Sequence, residues 1–217
     1  MSLERNGVPP AADPNQRIEL SGAQSVSRAK SVCTPGNGSQ PINSYAVVTY
    51  IPDPLGSFLD DMRRELVPDC IPHAHVTILP ARALEVPVEQ AWRWIRDRAE
   101  AFPAFEVETG DVEVFENTAV AYVSVRKGWD ELVALHDALS QGPLRFQEPY
   151  PYHPHITVAQ DFDPALLWDI ADKARRLWGR YSQSRRFLVD TLTFVQATAD
   201  KRWLDLAQCR LAAACRR

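Results

Sequence analysis

A short motif that occurs twice constrains the fold of this 217-residue chain more than any other sequence feature. His-Val-Thr begins at residue 75 and His-Ile-Thr at residue 155, an offset of 80 residues. The segments around each copy repeat in the same order, with strand-like and helix-like patterns alternating. This duplication predicts two lobes related by a pseudo-two-fold axis, with the two motif strands facing each other. The period is too long, and the copies are too few, for a solenoid.

Hydrophobic periodicity divides the chain into two β-α-β-α-β units, 44–115 and 118–196, and a closing strand at 202–211. Alternating sequences such as FEVETGDVEVF indicate strands, and apolar residues three or four apart indicate helices. We expect an α+β fold in which each lobe is a mainly antiparallel sheet, with helices outside and a central cleft. Strands are predicted at 44–51, 75–79, 105–115, 118–126, 155–160, 185–196 and 202–211, and helices at 55–66, 88–101, 129–139 and 164–178.

Residues 1–43 differ from the rest of the chain because they are rich in Pro, Ser, Gly, Asn and Gln. Such a segment buries too little apolar surface to offset the entropy of ordering it, so a flexible tail is expected. The sequence shows neither a secretory signal nor an apolar run long enough to span a bilayer. We therefore expect a cytoplasmic protein without membrane contacts, and we expect it to be a monomer.

The charge balance limits the partners. The formal net charge is −4, and extended binding of DNA needs a basic surface to meet the phosphates. We therefore expect no extended DNA binding. A local site for one phosphate is compatible with this charge.

Four of the five histidines lie in the two motif stretches. Because side chains alternate along a strand, His75 and Thr77 should share one face, while Val76 and Ile78 enter the core. The second copy follows the same rule. Two facing strands would then place two imidazoles and two hydroxyls around one cleft. The candidate site residues are His75, Thr77, His155 and Thr157.

This set of groups suits phosphodiester chemistry. Two imidazoles that titrate near neutral pH can act as general base and general acid in one turnover. One activates the attacking water or hydroxyl, and the other protonates the leaving oxygen. The hydroxyls can donate hydrogen bonds to phosphate oxygens on which negative charge develops.

The doubled H-x-T motif in a two-lobed α+β chain resembles the two-histidine (2H) phosphoesterase superfamily, over about residues 44–211. The resemblance implies a metal-independent phosphoesterase, without a cofactor, for 2′,3′-cyclic phosphates or 2′-5′ linkages of nucleotides or RNA ends. It implies that His75 and His155 form the acid–base pair and that Thr77 and Thr157 hold the phosphate. RNA-ligase-like members often carry an arginine after the second motif, where this chain has Gln160, and this departure argues against RNA-end ligation.

Four further residues near the motifs are candidates for substrate binding. His73 and His153 precede the motif histidines by two positions, and they could bind the phosphate or orient their neighbours. Tyr152 could stack on a base, and Arg82 could attract a phosphate.

Two alternative functions remain open at this stage. A nucleotide or RNA-end binding module could keep the pocket and lose turnover. The paired H-x-H sequences could instead bind Zn²⁺ through imidazole nitrogens, although neither motif contains an Asp or Glu to complete the site.

Overall fold

The computed structural model describes residues 40–68 and 70–213, and these form eight strands and four helices in the predicted order. The strands are β1 (Pro41–Tyr50), β2 (His75–Arg82), β3 (Phe105–Phe115), β4 (Val120–Lys127), β5 (His155–Ala159), β6 (Arg186–Val189), β7 (Thr191–Thr198) and β8 (Trp203–Arg210). The helices are α1 (Leu55–Leu66), α2 (Val88–Ala99), α3 (Trp129–Leu139) and α4 (Leu167–Trp178).

The strands form two four-stranded antiparallel sheets, in the orders β2-β1-β7-β8 and β5-β4-β3-β6. The expected α+β fold with two sheet-based lobes is therefore confirmed. Each motif strand, β2 or β5, lies at the edge of its sheet.

The two sequence units exchange elements between the lobes. Each unit contributes its first two strands to one sheet and its last strand to the other, so that β3 pairs with β4 and β7 pairs with β1. The helices cross in the same way, because α1 packs against β5 and α3 packs against β2. Each lobe is thus built from both units, and this interlocking ties the two motif strands to one hydrophobic core.

The predicted strand at 185–196 is wrong in one respect. The chain forms two strands there, which belong to different sheets and are separated only by Asp190. The Asp190 carbonyl oxygen accepts a hydrogen bond from the amide of Leu211, outside the ladders of β6 and β7. The buried apolar residues change phase at this point, from Phe187 and Val189 to Leu192 and Phe194. The prediction of a single strand did not take this shift into account.

Several predicted boundaries shift by a few residues. β1 begins at Pro41 instead of residue 44, and β4 begins at Val120 because a single 3₁₀ turn occupies Glu116–Thr118. Another 3₁₀ turn, Pro164–Leu166, precedes α4, and the Asp163 side chain accepts a hydrogen bond from the amide of Ala165. The rest of the predicted tail, residues 1–39, lies outside the described residues. No helix in the described ranges is long and apolar enough to cross a membrane.

Candidate active site

The alternation expected along the motif strands is present in both copies. Val76 and Ile78 are completely buried, whereas His75 and Thr77 are half-buried and lie on the opposite face of β2. In β5, Ile156 and Val158 are likewise fully buried, and they alternate with the half-buried His155 and Thr157. β2 and β5 contact each other. The four motif side chains are therefore carried by two neighbouring strands, and the pKa of His75 responds to the charge of His155.

Each motif strand carries a β-bulge directly after its threonine. In the pairing of β1 with β2, Val48 is opposite Thr77 and Val47 is opposite Leu79, which leaves Ile78 as the extra residue. In the pairing of β4 with β5, the extra residue is Val158. These positions differ by the repeat offset of 80. A bulge bends its strand and re-aims nearby side chains, which is common next to active sites.

Both motif histidines are oriented by the same backbone contact. The Nδ1 atom of His75 lies 2.6 Å from the carbonyl oxygen of His73, and Nδ1 of His155 lies 2.7 Å from that of His153. A carbonyl oxygen can only accept, so Nδ1 must carry the proton in each ring. Each neutral ring therefore keeps a lone pair on Nε2, which has no bonding partner among the described residues.

Burial favours the neutral form of both imidazoles. It lowers the pKa of His75 from 6.5 to about 4, and the positive charge of Arg63 on α1 contributes to this shift. Burial also lowers the pKa of His155. The interaction with His155 adds to the lowering of the His75 pKa, as expected for two imidazoles in one cleft.

The other histidine of each stretch packs against aromatic rings. His73 stacks on Tyr50, with 3.6 Å between ring centroids and an interplanar angle of 10°. His153 instead meets three rings edge-on, at centroid distances of 4.7 to 5.5 Å. These rings belong to Phe115, Tyr122 and Trp129.

Two tyrosine hydroxyls on the cleft faces donate to carboxylates. Tyr50 Oη is 2.6 Å from Asp205 Oδ1, and Tyr122 Oη is 3.1 Å from Glu113 Oε2. Burial and the nearby carboxylate raise the pKa of Tyr122 to about 12, and the same causes raise that of Tyr50. Both phenols therefore stay protonated and hold the aromatic walls beside the motif histidines.

A cavity of about 180 Å³ adjoins Tyr50 and is lined from both sheets. Leu188 of β6 contributes from one side, and Thr193 and Gln208 contribute from the other. The lining includes the acidic Asp190 and contains no lysine or arginine. Its chemistry suits an uncharged group with polar edges better than a second phosphate.

The structure places Arg82 and Tyr152 away from the cleft surface. The Arg82 side chain is 3% exposed, and its Nη2 lies 2.6 Å from Glu148 Oε1, so its charge is already paired. One face of the Tyr152 ring packs on His136, and the hydroxyl donates to the carbonyl oxygen of Thr77. Phosphate attraction by Arg82 and base stacking by Tyr152 therefore have no support in these contacts.

Sequence patterns did not single out Tyr50, Arg63, Phe115, Tyr122 or Trp129 as site residues. Each lies inside a regular strand or helix, or directly at its end, where an aromatic or basic residue is unremarkable. What brings them to the motifs is strand pairing, such as the register that sets Tyr50 opposite His75. Among the described residues, no group of three or more His, Cys, Asp or Glu side chains is placed to hold a metal ion.

Comparisons with known proteins agree with this architecture. The sequence model of the 2′-5′ RNA ligase superfamily matches residues 51–201. The structure of E. coli LigT complexed with ATP is 17% identical with a TM-score of 0.55, and it covers 80% of this chain and 99% of its own. A crystal structure of a phosphoesterase is 17% identical with a TM-score of 0.52, and it covers 81% and 99%. No curated protein sequence matches the chain.

Proposed function

The chain belongs to the 2′-5′ RNA ligase superfamily, and on this premise we propose that it hydrolyses 2′,3′-cyclic phosphates of nucleotides or RNA ends by two-histidine acid–base catalysis. The observation that carries the proposal is the matched orientation of His75 and His155. Each ring is fixed by a carbonyl two residues earlier, and each Nε2 is left for substrate. Two such groups in one cleft are what an in-line displacement at phosphorus requires.

The proposed reaction moves two protons. One Nε2 accepts a proton from water as the water oxygen forms a bond to phosphorus. The second imidazole, in its protonated form, gives its proton to the ribose oxygen as the phosphorus–oxygen bond to that oxygen breaks. The products are a phosphate monoester and a free ribose hydroxyl. The hydroxyls of Thr77 and Thr157 donate hydrogen bonds to the non-bridging oxygens, on which charge develops.

The environments of the two histidines favour one assignment of roles. His75 is the more strongly shifted, with a pKa of about 4, and is neutral at physiological pH. It therefore suits the base that takes the proton from water in hydrolysis. Arg63 does not contribute to the lowering of the His155 pKa, and His155 therefore suits the role of the general acid.

Two observations support the proposed substrate class. Solved structures show E. coli LigT complexed with 3′-AMP, ATP, NADP⁺ or phosphate, which supports a nucleotide phosphate. The cavity next to Tyr50 suits the uncharged nucleoside part of such a molecule. Gln160, where an arginine would favour RNA-end ligation, is consistent with hydrolysis as the main reaction.

The pH dependence of kcat/KM is expected to be bell-shaped and to peak between about pH 4 and pH 6.5. Activity rises as His75 loses its proton, at a pKa of about 4, and falls as His155 loses its own below the ordinary value of 6.5. Initial rates are measured across about pH 3.5–8.5. Substrate concentrations well below KM give kcat/KM, and saturating concentrations give kcat. A maximum above pH 7 would contradict the assigned roles.

Protein stability needs a control in the same pH range. The folded state holds His75 neutral, so the unfolded chain binds more protons between pH 6.5 and about 4. The free energy of unfolding is therefore unaffected by the titration of His75 above pH 6.5, and it decreases as the pH falls from 6.5 towards 4. Circular dichroism at each pH separates unfolding from the acid limb of catalysis.

Removing either motif hydroxyl is expected to slow the chemical step. Thr77→Val and Thr157→Val keep the shape of the side chain and remove the donor. We expect kcat to fall by about 10²–10³-fold, the usual effect of losing one donor to a developing oxyanion. Steady-state kinetics measures the loss, and unchanged kcat in both variants would exclude a role for the threonines in the transition state.

A substrate panel tests the proposed function itself. It contains 2′,3′-cyclic nucleoside monophosphates and 2′-5′-linked dinucleotides, each incubated with excess EDTA, with products identified by chromatography. We expect one phosphate monoester isomer and no effect of EDTA. Tight binding of nucleoside monophosphates without any turnover would favour the binding module instead. Turnover that EDTA abolishes would favour the metalloprotein.

A further inference from the structure

The segment that leads into the second motif is fastened to the strand of the first. Residues 142–154, the motif-2 loop, connect the region after α3 to β5. In this loop, the Tyr152 hydroxyl donates a hydrogen bond of 2.8 Å to the carbonyl oxygen of Thr77. Tyr152 directly precedes His153, whose own carbonyl orients His155. A single hydrogen bond thus links the backbone of the first motif to the loop that leads into the second.

The bulge in β2 explains why these carbonyl groups are accessible. Ile78 is the extra residue of the bulge, and residues at a bulge lose regular ladder pairing. The carbonyl oxygen of Ile78 accepts a hydrogen bond of 2.9 Å from Nδ1 of His136 on α3. The neighbouring Thr77 carbonyl is bonded by Tyr152. Two side chains of the second unit therefore bind consecutive carbonyl groups of the first motif strand.

The Tyr152 ring is itself held firmly in place. It stacks on the buried His136 ring, with centroids 4.0 Å apart and planes within 5° of parallel. Nε2 of His136 lies 3.7 Å from Glu148, a residue of the same loop that pairs with Arg82 at the end of β2. The hydroxyl thus has little freedom to leave the Thr77 carbonyl.

The repeat does not require this contact. The offset of 80 residues places Pro72 at the position equivalent to Tyr152, and proline carries no hydroxyl. The link therefore runs only from the motif-2 loop to the first motif. The contact joins the two halves of the site and has no counterpart at the equivalent position of the repeat. This asymmetry indicates a role specific to the motif-2 loop.

We propose that Tyr152 is a positioning residue, whose hydroxyl fixes the first motif strand relative to the second so that His75 and His155 meet one phosphate. The inference rests on the proposed function, because it concerns the geometry of the same acid–base pair. Tyr152 acts through the backbone of Thr77 and does not itself touch the substrate. Displacements of about 1 Å in a site that aligns reacting groups can cost about 10²-fold in rate.

The test compares Tyr152→Phe with Tyr150→Phe, a matched loss of one hydroxyl from an exposed ring in the same loop. Hydrolysis of a 2′,3′-cyclic nucleotide gives kcat and KM. We expect Tyr152→Phe to lower kcat by about 10- to 100-fold, within the range for misplaced reacting groups, while KM stays within about twofold. Tyr150→Phe should match the wild type. Melting curves confirm that both variants are folded at the assay temperature.

A readout independent of turnover accompanies the kinetics. In ¹H–¹⁵N spectra of the histidine rings, Tyr152→Phe should shift the resonances of His75, and Tyr150→Phe should leave them in place. Wild-type kcat in Tyr152→Phe, or a loss confined to KM, would overturn the inference, because the hydroxyl would then be only a packing or binding contact. If the wild type turns over no substrate, the proposed function fails, and the ring spectra still decide whether Tyr152 positions His75.

Discussion

Replacement of either motif histidine by alanine is expected to lower kcat by about 10²–10⁴-fold, the usual contribution of one positioned acid or base. The reason is that His75 and His155 each keep Nε2 unpaired beside the cleft, while Nδ1 is bonded to the backbone. The loss should concern kcat more than KM, since proton transfer occurs in the transition state. Initial-rate kinetics on the best cyclic phosphate measures both parameters.

Asparagine variants separate this chemical role from a structural one. The side-chain amide of asparagine can replace Nδ1 as the donor to the carbonyl oxygen of residue 73 or 153, but it has no group at the position of Nε2. His75→Asn and His155→Asn should therefore keep the local fold and remain as slow as the alanine variants. If asparagine restored the wild-type rate, the imidazoles would be structural and the acid–base account would be wrong.

The second large effect is expected on stability, at the buried ion pair of Arg82 and Glu148. The two side chains are 3% and 13% exposed, and Arg82 also donates to the carbonyl oxygen of Leu144. Glu148→Gln removes the negative charge, and the guanidinium cannot neutralise itself by losing a proton. We expect the free energy of unfolding to fall by about 3–5 kcal/mol, as for other buried pairs deprived of one partner. Urea unfolding followed by circular dichroism measures the change.

Two comparisons test the cause of this loss. The double variant Arg82→Met, Glu148→Leu should recover most of the stability, because an apolar pair of similar volume avoids the buried charge. Asp61→Ala breaks the exposed pair of Arg64 and Asp61, and it should change stability by less than about 1 kcal/mol. If Glu148→Gln were as mild as Asp61→Ala, the Arg82 charge would have to be solvated and the motif-2 loop only loosely attached.

Local patterns allowed much of the fold to be predicted. The bounds of α1 and α3 follow from apolar residues at helical spacing and match the structure. Alternation predicted correctly that Val76 and Ile156 enter the core while the motif histidines do not. These features depend on neighbours within a few residues, which a single sequence displays directly.

Features that depend on distant partners could not be predicted in this way. The exchange of β3 and β7 between lobes depends on pairing between segments far apart in sequence. The same holds for Arg82, whose position after a motif suggested phosphate contact, whereas Glu148 pairs with it from 66 residues away. Tyr152 was expected to stack on a base because it lies just before the second motif. Its ring stacks on His136 instead, a contact that depends on the three-dimensional fold.

The central claim is that His75 and His155 divide two proton transfers at one phosphate, and an activated ester tests it most directly. A 2′-5′ dinucleotide leaves an alcohol that needs a proton, whereas 4-nitrophenolate in its place departs without one. In the proposed cleavage the neighbouring ribose hydroxyl gives its proton to His155 and attacks phosphorus, so that the 2′,3′-cyclic phosphate forms as the bond to the leaving oxygen breaks. By microscopic reversibility, His75, which takes a proton from water in hydrolysis of the cyclic phosphate, gives a proton to the leaving alcohol in this step. The account predicts that His75→Asn is slow on the dinucleotide and close to wild type on the nitrophenyl ester, whereas His155→Asn is slow on both. Equal losses on the two esters in both variants would contradict it.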